Sequence, residues 1–318
     1  MAFKSFIVTL ALLAVVGHSN CFWLKFSAYV RDITHLRYVE PIVETHYTWT
    51  QDGDWDDINA LLEVGNQIAQ GGFSTIHLGV DRSSGEHVII KKLEKSFYKT
   101  PERKNDAETE LKIYLLLPKN DHLCGFNGYY QDADHIYYSL ENCGSSTVRK
   151  YFSGLQYAAS EEELKRVYSQ VLDAMIALHK NGIYHLDFQD NNYMYNPESG
   201  VVKVGDFGLS ITSDKPVDAK IGTPGFTPPE RLEHLPFRGR EADVWYFGVS
   251  MFRDYYGTKP FGLSATKEER ESAISGKFDF PSNKPASNEF KDLLKKIFTL
   301  ESERPTENEI AQHSWFKR

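Results

Sequence analysis

The chain has 318 residues, of which 41% are hydrophobic and 25% are charged. This balance is typical of a globular protein and excludes an intrinsically disordered chain. The net charge of −8 and the lack of a long basic block argue against nucleic acid as a partner. Three cysteines are too few for a disulfide scaffold.

The N-terminus has the pattern of a secretory signal peptide. Lys4 precedes an apolar run, Phe6 to Val16, which only Thr9 interrupts, and small residues follow. This order predicts a signal peptide over residues 1–19, cleaved after Ser19. The run is short for a bilayer span, so we expect no stable membrane anchor after cleavage; a membrane anchor or a buried helix is the alternative.

Residues 20–60 show no clear hydrophobic period and are predicted to form an extension before the main domain. Alternation of β-type residues begins near Leu61, in QIAQGGFSTIHLGVD and EHVIIKKL, on either side of the turn signal RSSGE. This pattern predicts a β-hairpin with a glycine-containing loop at its start. A further strand is predicted in DHIYYSLE.

Two segments carry helix signals. In KTPERKNDAETELKIYLLL, Thr100 suits the N-cap and Pro101 the first helical position. In SEEELKRVYSQVLDAMIALHKNG, a capping box from Ser160 to Glu163 predicts the start and Gly182 the end. The apolar residues that recur there at helical spacing are Leu164, Val167, Tyr168, Val171, Leu172, Met175 and Leu178. A small β-rich part therefore precedes a larger helical part.

A polar loop, GIYHLDFQDNNYMY, follows the second helix directly. Its His185, Asp187 and Asn192 are compatible with a metal site, a polar loop or an enzyme's reacting centre, and no single residue decides between them. A zinc site is not favoured, because the loop offers no further His or Cys at ligand spacing.

Segments at fixed distances from this loop resemble the eukaryotic protein kinases. In chain order they are VIIK, the helix that carries Glu110, HLDFQDNN, VGDFGLS, GTPGFTPPE, ADVWYFG and SERP. The resemblance runs from about Leu61 to Phe316. It implies an α+β, bilobal protein-kinase-like fold over residues 61–317, with a small β-rich N-lobe and a larger helical C-lobe.

The resemblance also implies a site for ATP and Mg²⁺. Lys91 would contact the nucleotide phosphates and Glu110 would hold it by an ion pair, with Lys92 and Glu108 as neighbouring competitors for these roles. Asn192 and Asp206 would bind the metal, since Mg²⁺ takes oxygen ligands. The ATP-binding positions that match the family's pattern are Ile68, Ala69, Gly71, Gly72, Ser74, Ile76, Lys91, Glu110, Glu141 and Cys143.

By the same resemblance, Asp187 is the base that accepts the proton of the substrate hydroxyl. The other catalytic residues that the pattern implies are Lys91, Gln189 and Thr223. Structural roles fall to four residues: His185, packing beneath Phe207; Glu230, paired with Arg304; and Asp243, bracing the catalytic loop.

Several positions depart from the family's pattern. Ala69 and Ser74 replace glycines, which predicts weaker or altered nucleotide binding rather than its loss. Leu186 replaces the arginine that reads an activation-loop phosphate, so phosphorylation there has less to bind. Gln189 replaces a lysine and brings no charge, and Asp190 replaces a proline.

GTPGFTPPE is similar to the serine/threonine branch of the family, which implies a protein substrate with a serine or threonine acceptor. Thr147, Asn191 and Arg253 match rim positions that are acidic in arginine-directed members, so such a preference is not expected. The leading hypothesis is an active kinase in the secretory pathway, or one delivered into a host cell. A secreted pseudokinase that regulates or scaffolds is the alternative. The sequence indicates no oligomeric state.

Overall fold

The computed structural model describes residues 58–71, 74–217, 223–262 and 266–317. The predicted signal peptide and residues 20–57 of the predicted extension lie outside the described residues. None of the helices in the described part of the chain has the length and apolar character that crossing a membrane requires.

The N-terminal lobe is built on a five-stranded antiparallel sheet in the order β1-β2-β3-β5-β4. Its helix α2 lies between β3 and β4 in the chain. The elements are α1 (Ile58–Leu61), β1 (Leu62–Gln70), β2 (Ser74–Asp81), β3 (His87–Glu94), a 3-10 turn (Lys95–Tyr98), α2 (Pro101–Leu116), β4 (Phe126–Gln131) and β5 (His135–Glu141). Helix α1 begins inside the predicted extension, because Ile58 packs in the small core formed with Leu62 and Val88.

The turn between β2 and β3 forms where the sequence predicts it. The Asp81 carboxylate accepts hydrogen bonds from the backbone N–H groups of Ser83 and Ser84, at 2.7 and 3.2 Å. Gly85 follows with φ of +74°, a conformation that glycine adopts without steric cost. The resulting register pairs Lys91 with Tyr138 on β5, so its side chain shares the face that packs toward α2.

Helix α2 begins as predicted. The Thr100 hydroxyl accepts the N–H of Arg103 at 3.4 Å, and Pro101 is the first helical residue. The buried positions of α2, among them Ala107, Glu110 and Tyr114, face the sheet. Glu110 is therefore a carboxylate held in an otherwise apolar interface.

The C-terminal lobe is helical and contains a three-stranded sheet in the order β6-β7-β8. Helices α4 and α6 form its centre. The elements are β6 (Ser146–Thr147), α3 (Val148–Gly154), α4 (Glu161–Lys180), β7 (Tyr193–Tyr195), β8 (Val202–Val204), α5 (Pro229–Leu232), α6 (Gly239–Tyr256), α7 (Lys267–Ile274), α8 (Asn288–Ile297), a 3-10 turn (Glu301–Glu303), α9 (Glu307–Ala311) and α10 (Ser314–Lys317). The predicted α+β fold of two lobes is confirmed.

Helix α4 has its predicted apolar face buried, and its ends follow the predicted residues with one difference. The Ser160 hydroxyl accepts the N–H of Glu163 at 3.1 Å. The predicted capping box is only half formed, because the Glu163 carboxylate accepts hydrogen bonds from Arg166 and Tyr151 instead of from the N-cap N–H. Gly182 closes the helix with φ of +69°.

Helix α6 is buried along almost its whole length, which is typical of the central helix of a lobe. A Cβ atom at Gly248 would lie 2.5 Å from a side-chain carbon of Ile297, so glycine permits α6 to pack closely against α8. Asp243, Arg253 and Asp254 are buried polar residues of this helix, and each has a partner in another element.

Candidate active site

The loop between α4 and β7, residues 183–192, is anchored from below by Asp243. Its carboxylate accepts the backbone N–H of His185 at 2.7 Å and that of Leu186 at 2.8 Å. Leu186 has φ of +60°, a left-handed conformation that costs energy for a branched residue and persists only where the surroundings fix it. Asp243 therefore braces the loop backbone, as the sequence predicted.

His185 is fully buried and supports the loop from inside. Its Nε2 lies 2.9 Å from the carbonyl oxygen of Gly205, and its ring centroid lies 5.2 Å from that of Phe207. The imidazole thus links the loop to the VGDFGLS segment. The contacts of His185 are those of a packing residue.

The Asp187 carboxylate is held by three uncharged donors. Oδ1 accepts hydrogen bonds from Gln189 Nε2 at 2.8 Å and from Thr223 Oγ1 at 2.9 Å. Oδ2 accepts one from Asn192 Nδ2 at 2.8 Å. A carboxylate offers about four lone-pair sites, so a position on Oδ2 remains for a substrate hydroxyl. This arrangement fixes the carboxylate and leaves it able to accept a proton.

Lys91 and Glu110 form the predicted ion pair, with Nζ and Oε1 2.5 Å apart and both side chains buried. Asp206 Oδ1 lies 3.5 Å from the same Nζ. Burial alone would lower the pKa of Lys91, but the two carboxylates outweigh it and raise that pKa well above its ordinary value. The competitor Lys92 points away, toward the ring of Tyr137.

Asp206 presents an exposed carboxylate near Asn192. Lys91 lowers the pKa of Asp206, which keeps it ionised. Its backbone has φ of +59°, a left-handed conformation typical of functional sites when the residue is not glycine. Asn192 uses its amide nitrogen for the bonds to Asp187, so the amide oxygen is the atom that a cation would take.

The donors fit a cation that arrives with phosphate. In the described ranges there is no group of three or more His, Cys, Asp or Glu residues that could hold a metal ion alone. Mg²⁺ typically binds through one or two protein ligands together with phosphate oxygens and water. Asn192 and Asp206 supply a set of that kind.

A model of the protein kinase domain matches residues 62–316. The chain belongs to the protein kinase family. Sperm motility kinase 3A of Mus musculus is 29% identical over 266 residues, which cover 82% of this chain and 51% of that protein. Calcium-dependent protein kinase 24 of Arabidopsis thaliana is 27% identical over 271 residues, covering 82% and 46%. Serine/threonine-protein kinase PLK4 of Nematostella vectensis is 27% identical over 239 residues, covering 74% and 24%. The kinase chain thus spans about half the length of these relatives, or less.

The nucleotide loop of this kinase lies between β1 and β2. Ala69 pairs with Ile76 across the hairpin, and the Gly71 N–H donates to the Ser74 carbonyl at 2.8 Å. Ile68, at the same edge, is 51% exposed. Gly72, also predicted to bind ATP, lies outside the described residues. The described part of the loop is thus held by backbone pairing across the hairpin, and Ala69 and Gly71 are exposed.

The segment after β5 contains a feature that the sequence did not reveal. Cys143, predicted to bind ATP, forms a disulfide with Cys124, and their Cα atoms are 5.9 Å apart. Glu141, the other predicted residue here, accepts hydrogen bonds from the Gly125 N–H at 2.9 Å and from Lys203 at 2.7 Å. The two cysteines flank neighbouring antiparallel strands, and that adjacency was the available signal.

The peptide-facing side of this kinase differs from expectation at Arg253. Sequence reasoning placed Arg253 on the rim, but it is only 6% exposed, because its guanidinium pairs with the Asp190 carboxylate of the catalytic loop. Asn191 is exposed on the rim, and Thr147 caps α3 by accepting the Lys150 N–H at 3.3 Å. Asp190, which stands where the family usually has a proline, is thus neutralised by an arginine on α6.

Two buried ion pairs support the lobe behind the site. Arg304 and Glu230 form the predicted pair in a bidentate arrangement, at 3.0 and 3.1 Å. His179, which sequence reasoning missed, lies 3.0 Å from Asp243 and 3.1 Å from Glu307. His179 continues the apolar helical spacing of α4, and that position predicts an inward side chain.

Proposed function

We propose that this kinase domain is an active serine/threonine protein kinase that transfers the γ-phosphate of ATP to hydroxyl groups of proteins. The observation that carries the proposal is the Asp187 carboxylate, held by three neutral donors with an acceptor position left open. The Lys91–Glu110 pair and the Asp206 carboxylate complete the set that phosphoryl transfer uses.

In the proposed mechanism, the substrate hydroxyl donates to Asp187 Oδ2 and transfers its proton there as its oxygen bonds to the γ-phosphorus. The bond between that phosphorus and the bridging oxygen breaks, and ADP leaves. Lys91 places a positive charge near the phosphates, and Glu110 fixes its position. Mg²⁺, held by Asn192 and Asp206, would supply further neutralisation of phosphate charge.

Gln189 has a positioning role in this proposal. Its Nε2 donates to both Asp187 Oδ1 and Thr223 Oγ1, each at 2.8 Å, and so ties the catalytic loop to the segment that carries the peptide platform. The lysine usual at this position would add charge near the transferred phosphate. At this position the kinase therefore orients Asp187 without a positive charge, whereas family members with the usual lysine provide both.

A secreted pseudokinase is the second candidate. It is favoured by Ala69 and Ser74 at the nucleotide loop, where glycines would let phosphates approach the backbone more closely. A pseudokinase of this kind would bind nucleotide without transferring phosphate and would act as a regulator or scaffold. The presence of every directly reacting residue, Lys91, Asp187 and Asp206 among them, supports the active enzyme instead.

The deciding assay uses the purified mature chain, radiolabelled ATP and a mixed protein substrate, with and without Mg²⁺. We expect labelling of serine and threonine that requires Mg²⁺. Phosphoamino-acid analysis checks the acceptor type. Nucleotide binding by thermal shift, with no labelling of any substrate under either condition, would favour the pseudokinase.

We further propose that the chain enters the secretory pathway and works in its lumen or after delivery into a host cell. The signal-peptide pattern of residues 1–19 and the Cys124–Cys143 disulfide support this, because disulfides persist in oxidising compartments. Expression of the full chain in eukaryotic cells, with N-terminal sequencing of the secreted product, tests it. An uncleaved N-terminus on a product that stays in the cytosol would overturn it.

A further inference from the structure

The peptide platform contains a buried aromatic ring close to the catalytic carboxylate. Phe226 is fully buried, and its N–H donates to the carbonyl oxygen of Thr223 at 3.0 Å. The hydroxyl of Thr223 in turn donates to Asp187 at 2.9 Å. A group that borders Phe226 therefore lies close to Asp187, because only Thr223 separates the two along this hydrogen-bonded path.

Two cations lie against this ring. The guanidinium carbon of Arg253 is 4.5 Å from the ring centroid of Phe226, and Lys259 Nζ is 4.7 Å from it. Lys259 Nζ also donates to the carbonyl oxygen of Pro224 at 2.7 Å, which fixes the ammonium group at the edge of the platform. Cation–π attraction holds each charge, but the two charges repel one another.

Arg149, at the start of α3, adds a third positive charge. Burial and the charges of Arg253 and Arg149 together lower the pKa of Lys259 to about 8. Burial and the charge of Arg149 likewise lower the pKa of Arg253 to about 10. The geometry places Arg149 in the same cluster, because its backbone N–H donates to the carbonyl oxygen of Asp190 at 3.2 Å and the carboxylate of Asp190 pairs with Arg253.

The neighbouring carboxylates neutralise these three cations only in part. Asp190 pairs with Arg253, with Nε and Oδ2 2.8 Å apart. Asp254 accepts the hydroxyl of Tyr168, and burial raises its pKa to about 7, so it carries only part of a charge near neutral pH. Arg149 Nη1 is buried and has no hydrogen-bond partner among residues 58–71, 74–217, 223–262 and 266–317. A buried N–H group in this state is stabilised by any anion that reaches it.

We propose that Arg149, Arg253 and Lys259 form a subsite for an anionic side chain of the protein substrate, a carboxylate or a phosphorylated residue, located a few residues from the acceptor. The proposal rests on the proposed kinase activity, since the ligand belongs to the substrate of the same site. Asn191 on the rim and Thr147 nearby are uncharged, so neither repels an acidic peptide.

The test uses four peptides with one serine acceptor and identical sequences except at the flanking positions. These positions carry glutamate, glutamine, lysine or phosphoserine. Both kcat/KM and direct binding, by fluorescence anisotropy of labelled peptides with a non-hydrolysable ATP analogue, are measured. We expect the glutamate peptide to exceed the glutamine peptide by about tenfold, as charge-assisted hydrogen bonds to a buried cluster require. The phosphoserine peptide should equal or exceed it, and the lysine peptide should be weakest.

The variant is the double substitution Arg149→Gln and Lys259→Gln, which removes two charges and leaves the buried Arg253–Asp190 pair intact. In this variant the glutamate peptide should lose its advantage over the glutamine peptide in both measurements. Lys150→Gln is the matched control, because Lys150 is an exposed cation one residue from Arg149. It should keep the wild-type preference. Circular dichroism confirms that the variants are folded.

The outcomes separate this proposal from the activity itself. A binding preference for glutamate that the double variant loses, without phosphorylation of any peptide, keeps the subsite and rejects the kinase activity. Equal binding and equal phosphorylation of the glutamate and glutamine peptides by the wild type keeps the activity and overturns the subsite. A preference that survives in the double variant overturns the assignment of the subsite to Arg149 and Lys259. A selective response to phosphoserine alone overturns the shared carboxylate and phosphate chemistry proposed here.

Discussion

The catalytic loop, residues 185–192, and the nucleotide loop between β1 and β2 differ in whether their side chains are held by contacts or exposed to solvent. Asp243, His185 and the Asp187 donors fix the catalytic loop through side-chain contacts. From residue 65 to residue 70, β1 is exposed at every position. Substitutions that depart from the family's pattern therefore have different structural consequences in the two loops. A substitution in the catalytic loop therefore needs a compensating partner, as Asp190 has in Arg253, whereas a substitution at an exposed position of β1 does not.

Removal of Asp243 should have the largest effect, because it tests the bracing directly. Asp243→Ala leaves two buried backbone N–H groups without an acceptor and removes one of the two partners of His179. We expect the free energy of unfolding to fall by about 3 kcal/mol, with loss of activity. Urea denaturation measures it. The exposed Asp279→Asn is the control. A loss below about 1 kcal/mol would mean that the loop is held by other contacts.

Gln189 tests how the loop compensates for a missing charge. Gln189→Ala removes two hydrogen bonds to Asp187 and Thr223, and we expect kcat to fall on the order of tenfold to a hundredfold. The KM for ATP should stay constant. Gln189→Lys should retain most of the activity, because lysine can donate to the same oxygens. Equal losses in both variants would show that the amide's shape matters and its donors do not.

The pH dependence of stability tests the buried contacts in the C-terminal lobe that support the catalytic loop. Burial would lower the pKa of His179, but Asp243 and Glu307 outweigh it and raise the pKa above 6.5. Burial opposes ionisation of Glu307, yet His179 and Arg240 lower its pKa from 4.5 to about 2.

The contribution of His179 is thus complete below about pH 6.5 and is lost as the pH rises through its raised pKa. That of Glu307 is complete above about pH 4.5 and is lost as the pH falls toward 2. Thermal denaturation across pH 3 to 9, compared between wild type and His179→Gln, measures both limbs. The variant should lack the alkaline decline, worth about 1 kcal/mol. An unchanged alkaline limb would place the titration elsewhere.

Substitutions in the nucleotide loop should have the smallest effect. Ala69→Gly and Ser74→Gly restore the family's pattern at positions whose side chains are exposed or partly exposed. We expect the KM for ATP to fall by only about two- to threefold, since neither side chain is buried and glycine would mainly let phosphates approach the backbone more closely. Steady-state kinetics checks this. A change of tenfold or more would show that the side chains of this loop obstruct the nucleotide.

Much of the fold could be predicted from local signals. The Thr100 cap, the apolar face of α4 and the turn at Asp81 depend on neighbours in the chain, and their periodicity or turn chemistry is visible in the sequence. The pairing of Lys91 with Glu110 could be predicted only from the resemblance to the kinase family, whose register implies it.

The remaining features depend on contacts between residues distant in the chain. Arg253 reads as a surface charge until Asp190 is brought against it across 63 positions. His179 meets Glu307 across 128 positions, and Cys124 meets Cys143 because two strands are neighbours. The half-formed capping box at Glu163 has a more local cause, since Arg166 and Tyr151 donate hydrogen bonds to that carboxylate in place of the N-cap N–H.

The most direct test of the central claim compares wild type with Asp187→Asn in two measurements on the same preparations. ATP and Mg²⁺ binding is followed by thermal shift, and phosphoryl transfer by radiolabel. Asparagine keeps the shape of Asp187 but cannot accept the hydroxyl proton as a carboxylate does. The account predicts an unchanged thermal shift and a loss of transfer of at least about a thousandfold. Transfer by Asp187→Asn at the wild-type rate, in a preparation free of other kinases, would contradict it.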